Sequence, residues 1–285
     1  MKKSFALVAF GLFTFVGGVS ARTILFVGNS FTFGQSSQVK RYKTASVTDL
    51  NRTDFGGVPA LFKAFTVQAG LDYDVSLETV GGKGLDYHYT EKLSLLDRAW
   101  DDVVLQSYST LDAKHPGDAG ILVKFAGLFA DTFLQRNGGA KIYLSATWSR
   151  ADQTYPVGKP WSGKPIQQMG KDIQVAYELA AQKSNQIAGV IPVGLAWNRA
   201  IDSGLADPNP YDGIAANQIN LWTFDHYHAS AYGYYLEALM VFGKVTGLDP
   251  LSVGDKERSI DDLGLDPRVI RVLQQIAHDQ LAAQH

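Results

Sequence analysis

Two short blocks hold the residue types that acyl transfer requires: Gly28-Asn29-Ser30-Phe31-Thr32 near the start of the chain and Asp225-His226-Tyr227-His228 near its end. A serine hydroxyl becomes a nucleophile when a base takes its proton, a carboxylate holds that base, and nearby donors receive the oxyanion formed on attack. Asp225 precedes His228 by three residues, so on a turn its carboxylate can accept the Nδ1 proton and leave the other ring nitrogen for a serine. His226 competes for the same role, but next to Asp225 on an extended loop it points elsewhere, and spacing favours His228. Alone, Ser30 is as readily a turn or cap residue, and Asp225 a cap for a helix starting near Ala229. It is the pair of blocks that favours catalysis.

Together the blocks resemble the first and last blocks of the SGNH/GDSL hydrolases, and the resemblance spans most of the chain after its first twenty residues. The Gly-Asn-Ser-Phe-Thr wording, the strand end Leu105-Gln106 and Asp225-x-x-His228-x-Ser230-x-x-Gly233 are similar to a bacterial subgroup related to carbohydrate esterases. The resemblance implies a flavodoxin-like α/β/α sandwich with Ser30 as nucleophile, His228 as base and Asp225 as its partner, and it calls for no cofactor. It also implies an oxyanion hole built from the Ser30 amide, a glycine amide and a side-chain amide. Gly82, within Gly81-Gly82-Lys83-Gly84, best matches the glycine, in a run whose backbone can approach a ligand closely. The third block departs from the family's Gly-x-Asn-Asp, reading Leu105-Gln106-Ser107-Tyr108-Ser109. Tyr108 falls near the asparagine position but offers only a phenol, whereas Gln106 carries a primary amide, so Gln106 is the favoured third donor and Tyr108 the alternative. Thr32 stands two residues after Ser30, so the Gly-x-Ser-x-Gly elbow of ordinary α/β-hydrolases is missing.

The elements that must position these residues are legible as alternating runs. Thr23 to Val27, Tyr73 to Val80, Asp102 to Gln106, Lys141 to Ala146 and Val190 to Val193 read as five buried strands. Between and after them, Val58 to Ala69, Glu91 to Ala99, Ala119 to Arg136, Ile166 to Lys183, Ala229 to Val245 and Pro267 to Ala283 read as helices, with stops at Gly70, Gly138-Gly139 and Gly247. The alternation predicts a three-layer α/β/α sandwich on a five-stranded parallel sheet. Trp148 to Pro165, rich in Gly, Pro and aromatic residues, reads as a long loop at the carboxyl end of the fourth strand, where open sheets bind ligands. Gln35 to Phe55 reads as a second irregular segment, a lid or mobile rim beside the nucleophile.

At 285 residues and 46% hydrophobic composition the chain can bury one sizeable core, so residues 22–285 are expected to form one catalytic domain, with 248–285 a helical appendage to it. Met1-Lys2-Lys3, the apolar run from Phe5 to Val16 and the small residues Val19-Ser20-Ala21 predict a cleaved signal peptide over 1–21, hence a periplasmic or secreted protein. The apolar run is short of the roughly 20 residues a spanning helix needs, so no membrane association is expected once the leader is gone. The absence of cysteine excludes disulfides, thiolate metal sites and cysteine nucleophiles. Lys and Arg number 26 against 28 Asp and Glu, a net charge of −2 that becomes −4 without Lys2 and Lys3, which makes no case for nucleic acid.

The expected partner is a small-molecule or carbohydrate ester. Trp148, Tyr155, Trp161 and Trp222, with His88 after the glycine run, stand in segments expected at the sheet's carboxyl edge, where aromatic faces suit sugar rings. The same residues leave two other readings open. Asp225, His226 and His228 include a His-x-His pair able to ligate zinc in a metal-dependent hydrolase, although the remaining histidines are scattered. A noncatalytic carbohydrate-binding protein would use the fold and its aromatic loop without turnover.

Overall fold

The computed structural model describes residues 21–283, so the leader predicted over 1–21 lies, apart from Ala21, outside the described residues. The first apolar run forms strand β1, Arg22–Gly28, buried from Ile24 onward, and its alternate side chains serve two cores: Ile24 and Phe26 on one face, Leu25 and Val27 on the other. A strand apolar on both faces belongs inside a covered parallel sheet. It pairs on one side with β3, Tyr73–Thr79, and on the other with β4, Asp102–Leu105. The sheet is completed by β2, Thr48–Asp49, beyond β3, and by β5, Lys141–Ala146, and β6, Ile187–Pro192, beyond β4. All pairings are parallel and the order is β2-β3-β1-β4-β5-β6. Six strands replace the expected five because Thr48–Asp49, too short to show a period, pairs along the edge of β3.

One face is covered by α1, Gly57–Gln68, α7, Val193–Asp202, α8, Ala231–Thr246, and α10, Pro267–Ala282, the other by α2, Leu85–Glu91, α4, Gly120–Arg136, and α6, Gln167–Lys183. Short helices α3, Leu93–Leu96, α5, Ala151–Thr154, and α9, Arg258–Asp262, punctuate the connections. The helix expected over Glu91–Ala99 is therefore a four-residue piece, and the longer helix lies just before it. A helix over Val193–Asp202 was not expected at all; it begins where Pro192 ends β6 and buries Val193, Ala196, Trp197, Ala200 and Ile201 at helical spacing.

Helix α8 starts at Ser230, whose hydroxyl accepts from the Gly233 amide, and stops at Gly247 in the left-handed conformation. Helix α10 starts on Asp266 capping Arg268, with Pro267 in its first turn. Its residues Ile270, Leu273, Ile276 and Ala277 join the core shared by α1 and α8, so the segment expected as an appendage packs into the same core. Among the described residues no helix is long and apolar enough to cross a membrane.

Candidate active site

The chain leaves β1 at the point where the order of the sheet reverses, with later strands on both sides, which is where open α/β sheets form their ligand crevice. Gly28 is required there by close approach: a Cβ on it would lie 2.2 Å from Thr32 Oγ1 and 2.8 Å from Gln106 Oε1. The turn that follows is closed by the amides of Thr32 and Phe33 donating to the Asn29 carbonyl at 3.0 and 3.1 Å. Asn29 then ties three segments together. Its Nδ2 donates to the Lys83 carbonyl at 2.8 Å and the Ser107 carbonyl at 3.1 Å, while its Oδ1 accepts from the Phe31 amide. Ser30 is thereby held between the loops that follow β3 and β4.

Asp225 and His228 face this turn from the loop before α8. His228 Nδ1 and Asp225 Oδ2 are 2.7 Å apart, and Asp225 Oδ1 accepts from the amides of Tyr227 and His228 and from Thr223 Oγ1. Ser36, on the segment after Ser30, donates to Asp225 Oδ2 at 3.0 Å. The Phe31 ring lies 5.8 Å from that of His228, and Tyr234 in α8 donates to the Ser30 carbonyl. Ser30 Oγ and His228 Nε2 are not hydrogen-bonded to each other, and His228 Nε2 meets no partner among the described residues. Such contacts commonly close only when substrate is bound.

Electrostatics divide the pair. Burial opposes ionisation of Asp225, yet the hydrogen bonds from His228, Thr223 and Tyr227 outweigh it and hold the carboxyl well below the usual carboxylate range. Burial dominates at His228 and lowers its pKa below 6.5, against the opposing pull of Asp225. The imidazole is therefore neutral at neutral pH, the form that accepts a proton. His226, with φ +55, packs its ring 4.1 Å from that of Tyr211, tilted by 44°. Among the described residues no group of three His, Cys, Asp or Glu side chains is placed to hold a metal, so Asp225, His226 and His228 are not assembled as a ligand set.

Two amides are candidates for oxyanion binding. Val80 and Lys83 close a turn with Gly82 at φ +71, a conformation that suits glycine. Among the described residues neither that amide nor the Ser30 amide has an acceptor. Gln106 does not supply the third donor. Its Oε1 accepts from the Asn29 amide at 3.0 Å and from Thr32 Oγ1 at 3.1 Å, its Nε2 donates to the Ser107 carbonyl, and it is 1% exposed. Because the Asn29 amide is a donor, the group facing it must be the carbonyl oxygen. Gln106 is thus a buried brace under the turn that carries Ser30. Tyr108 packs its ring on Gly84, where a Cβ would lie 2.2 Å from it, and burial beside Asp86 raises its pKa.

The expected aromatic contacts need correction. Trp148, Trp161, Trp222 and His88 are 0 to 4% exposed and belong to the interior. Trp148 stacks between Phe31 at 4.2 Å and Trp197 at 4.6 Å and donates to the Tyr227 carbonyl, leaving no face for a ligand. Trp222 donates to the Ser149 carbonyl, Trp161 to Asp172, and His88 is paired with buried Glu78 at 2.5 Å. Tyr155 is half-buried, its hydroxyl donating to the Pro208 carbonyl. The exposed aromatics beside the pair are instead Phe224, 84% exposed, and Tyr211, 46% exposed, neither of which the sequence singled out. The segment Gln35 to Phe55 is built of two 3-10 turns and β2, and buries Val39 and Tyr42 against the core.

No family model matches the chain, and no curated protein does. Among solved structures it is similar to a DUF4886 family protein from Bacteroides uniformis, with a TM-score of 0.61 and 18% identity over 92% of this chain and 95% of that one. It is also similar to a GDSL-like lipase from Parabacteroides merdae (0.53, 16%, 79% and 95%) and to TesA (0.50, 14%, 79% and 99%). At these identities the likeness is one of fold, and the fold is that of the SGNH/GDSL hydrolases.

Proposed function

We propose that this chain is a serine esterase. His228 Nε2 takes the Ser30 proton as Oγ attacks the ester carbonyl; the Ser30 and Gly82 amides receive the oxyanion; and His228 returns the proton to the departing alcohol. Water, deprotonated by the same imidazole, then releases the acid from acyl-Ser30. Asp225 holds the ring in the tautomer that leaves Nε2 bare and stabilises the imidazolium that forms. The observation that carries this reading is the 2.7 Å Asp225–His228 pair set beside a serine at the switch point of an SGNH-type sheet.

For the substrate, the reading draws on access and on the exposed aromatics. Ser30 is 5% exposed and His228 8%, which favours a small acyl group over a bulky one, while exposed Phe224 and Tyr211, with half-buried Tyr155 against Tyr211, offer aromatic edges suited to a sugar ring on the alcohol side. We therefore assign O-acetyl carbohydrate esters as substrate and, from the leader, a periplasmic or secreted location.

A fluorophosphonate incubated with the mature protein should add its mass to Ser30 by peptide mapping, with or without chelator, and Ser30→Ala should lose roughly 10³-fold or more of its acetyl-ester hydrolysis. Full activity in a folded Ser30→Ala protein would remove Ser30 from the mechanism. Chelator-sensitive cleavage without labelling would favour the metal reading, and sugar binding without any cleavage the noncatalytic one.

A further inference from the structure

We propose that Arg150 is a positioning residue for the catalytic base, acting through Tyr227 as the middle layer of an Arg150–Tyr227–His228 stack. The inference rests on the esterase reading of the site. Arg150 Cζ lies 3.5 Å from the centre of the Tyr227 ring, and the His228 ring lies 4.0 Å from the same ring at an interplanar angle of 30°. Two groups cannot both sit that close above one face of a phenol, so the guanidinium and the imidazole occupy opposite faces and Tyr227 is clamped between them.

The clamp is anchored on the side away from His228. Arg150 makes a two-pronged contact with Asp152, Nε to Oδ1 at 2.9 Å and one terminal nitrogen to Oδ2 at 2.6 Å, and its other terminal nitrogen donates to Ser109 Oγ at 3.2 Å. Every nitrogen of the fork is engaged, and its side chain is 14% exposed, so the residue is held rather than offered to substrate. Tyr227 is fixed at its backbone as well, because its carbonyl accepts from Trp148 Nε1. Phe31, the neighbour of the nucleophile, touches both Tyr227 and His228. The stack therefore sets the plane of the imidazole relative to the turn that carries Ser30, while Asp225 sets only which nitrogen bears the proton. A catalytic ring displaced by about 1 Å loses on the order of 10²-fold in rate.

Charge follows the same path. The titratable groups around His228 are Asp225 and Tyr227 on its own loop, Arg150 and Asp152 on the segment after β5 and Tyr234 of α8, of which Asp225, Arg150 and Asp152 bring charge; Phe31 and Ser36 of the nucleophile segment bring none. Arg150 opposes the imidazolium that Asp225 and Asp152 favour, and adds to the lowering that burial already imposes.

The test is the titration of the His228 imidazole by NMR in the wild type, Arg150→Met and Arg150→Lys, its resonance identified by its loss in His228→Gln, together with kcat and KM on an aryl acetate. Arg150→Met should move the His228 midpoint to higher pH and lower kcat by roughly 10-fold or more with KM little changed. Arg150→Lys, which keeps the charge but not the flat fork, should lower kcat while the midpoint stays near that of the wild type. An Arg150→Met protein that folds yet keeps the wild-type midpoint and kcat would overturn the inference. Should Arg150→Met not fold, Tyr227→Leu carries the same test: unchanged kcat in that variant would show that the middle layer positions nothing. The NMR titration needs no turnover, so a failure of Ser30 to label would refute the esterase reading while still leaving the stack tested.

Discussion

The phenol of Tyr234 reaches the main-chain carbonyls of Ser30, at 3.2 Å, and Gln35, at 3.0 Å. Tyr234 stands in the first turns of α8, the helix whose approach loop carries Asp225 and His228. One rigid element therefore presents the proposed base from its amino end and pins the backbone of the turn that carries Ser30 a few residues later. Burial raises the Tyr234 pKa well above 10, so the phenol remains a donor throughout the physiological range. Tyr234→Phe should lower stability by about 1–2 kcal/mol, the cost of one buried bond and a poorly satisfied carbonyl. It should also lower kcat more than it changes KM, since the serine loses its anchor and the rim is untouched. Urea denaturation and steady-state kinetics on the same preparation check both parts.

The acid side of the pH profile follows from His228. Its folded pKa lies below 6.5 and the proposed mechanism needs the neutral ring, so kcat/KM should rise through a single limb below pH 6.5 and level off by neutrality. Asp225, held well below the carboxylate range, stays ionised across that limb and adds no second step. The sign for stability is the same for both groups. Each binds its proton more readily when unfolded, so His228 lowers stability as pH falls from 6.5 toward its folded value, and Asp225 does so only as pH falls below 3.8. Thermal melts between pH 7.5 and 5.5 should therefore drop less in His228→Gln than in the wild type; equal slopes would show that His228 is not the depressed group.

Gln106 separates a brace from a donor. Removing an oxyanion donor typically costs 10²- to 10³-fold in kcat, roughly 3–4 kcal/mol, without unfolding the protein. Gln106→Leu should instead destabilise the fold by about 2–4 kcal/mol, because it strands the Asn29 amide and the Thr32 hydroxyl in the interior. A chemical-denaturation midpoint equal to that of the wild type, with kcat sharply reduced, would return Gln106 to the oxyanion hole.

The sequence makes legible what rests on local period and on chemistry between residues close along the chain. Buried parallel strands declare themselves as short apolar runs, and Asp225 with His228 declare themselves by a three-residue spacing that a turn converts into a 2.7 Å contact. Helix α7 carried an equally clear period in Val193, Ala196, Trp197 and Ala200, but the apolar run that ends in Pro192 absorbed its first residue into a strand. The fates of Gln106 and of the tryptophans depend on which way a side chain leaves the end of a strand. Val104 points to the core beneath α8, and Gln106, two residues on, points the same way, under the turn rather than into the crevice. Trp148 lies in a loop by sequence, yet its ring fills the gap between Phe31 and Trp197, a vacancy created by segments far apart in the chain. Composition marks such a loop as aromatic without saying which ring faces out.

Phe224 is the ring that does face out, and its position defines the last prediction. It precedes Asp225 directly and is 84% exposed, with Tyr211 packed on His226 and Tyr155 packed on Tyr211 to continue the rim. A single exposed phenylalanine needs no explanation, but one directly before Asp225, with Tyr211 packed on His226 of the same loop, offers aromatic surface on which the alcohol portion of an ester can lie. Because Phe224 buries little of itself in the fold, Phe224→Ala should leave stability within about 0.5 kcal/mol of the wild type. Loss of one ring contact worth about 0.5–1.5 kcal/mol should raise KM for an acetylated oligosaccharide by roughly 2- to 10-fold with kcat unchanged. An aryl acetate, whose alcohol portion is too small to reach the rim, should be hydrolysed as before. Parallel kinetics on the two substrates decide the matter: equal changes on both, or none on either, would mean that Phe224 does not contact the alcohol and that the sugar lies elsewhere.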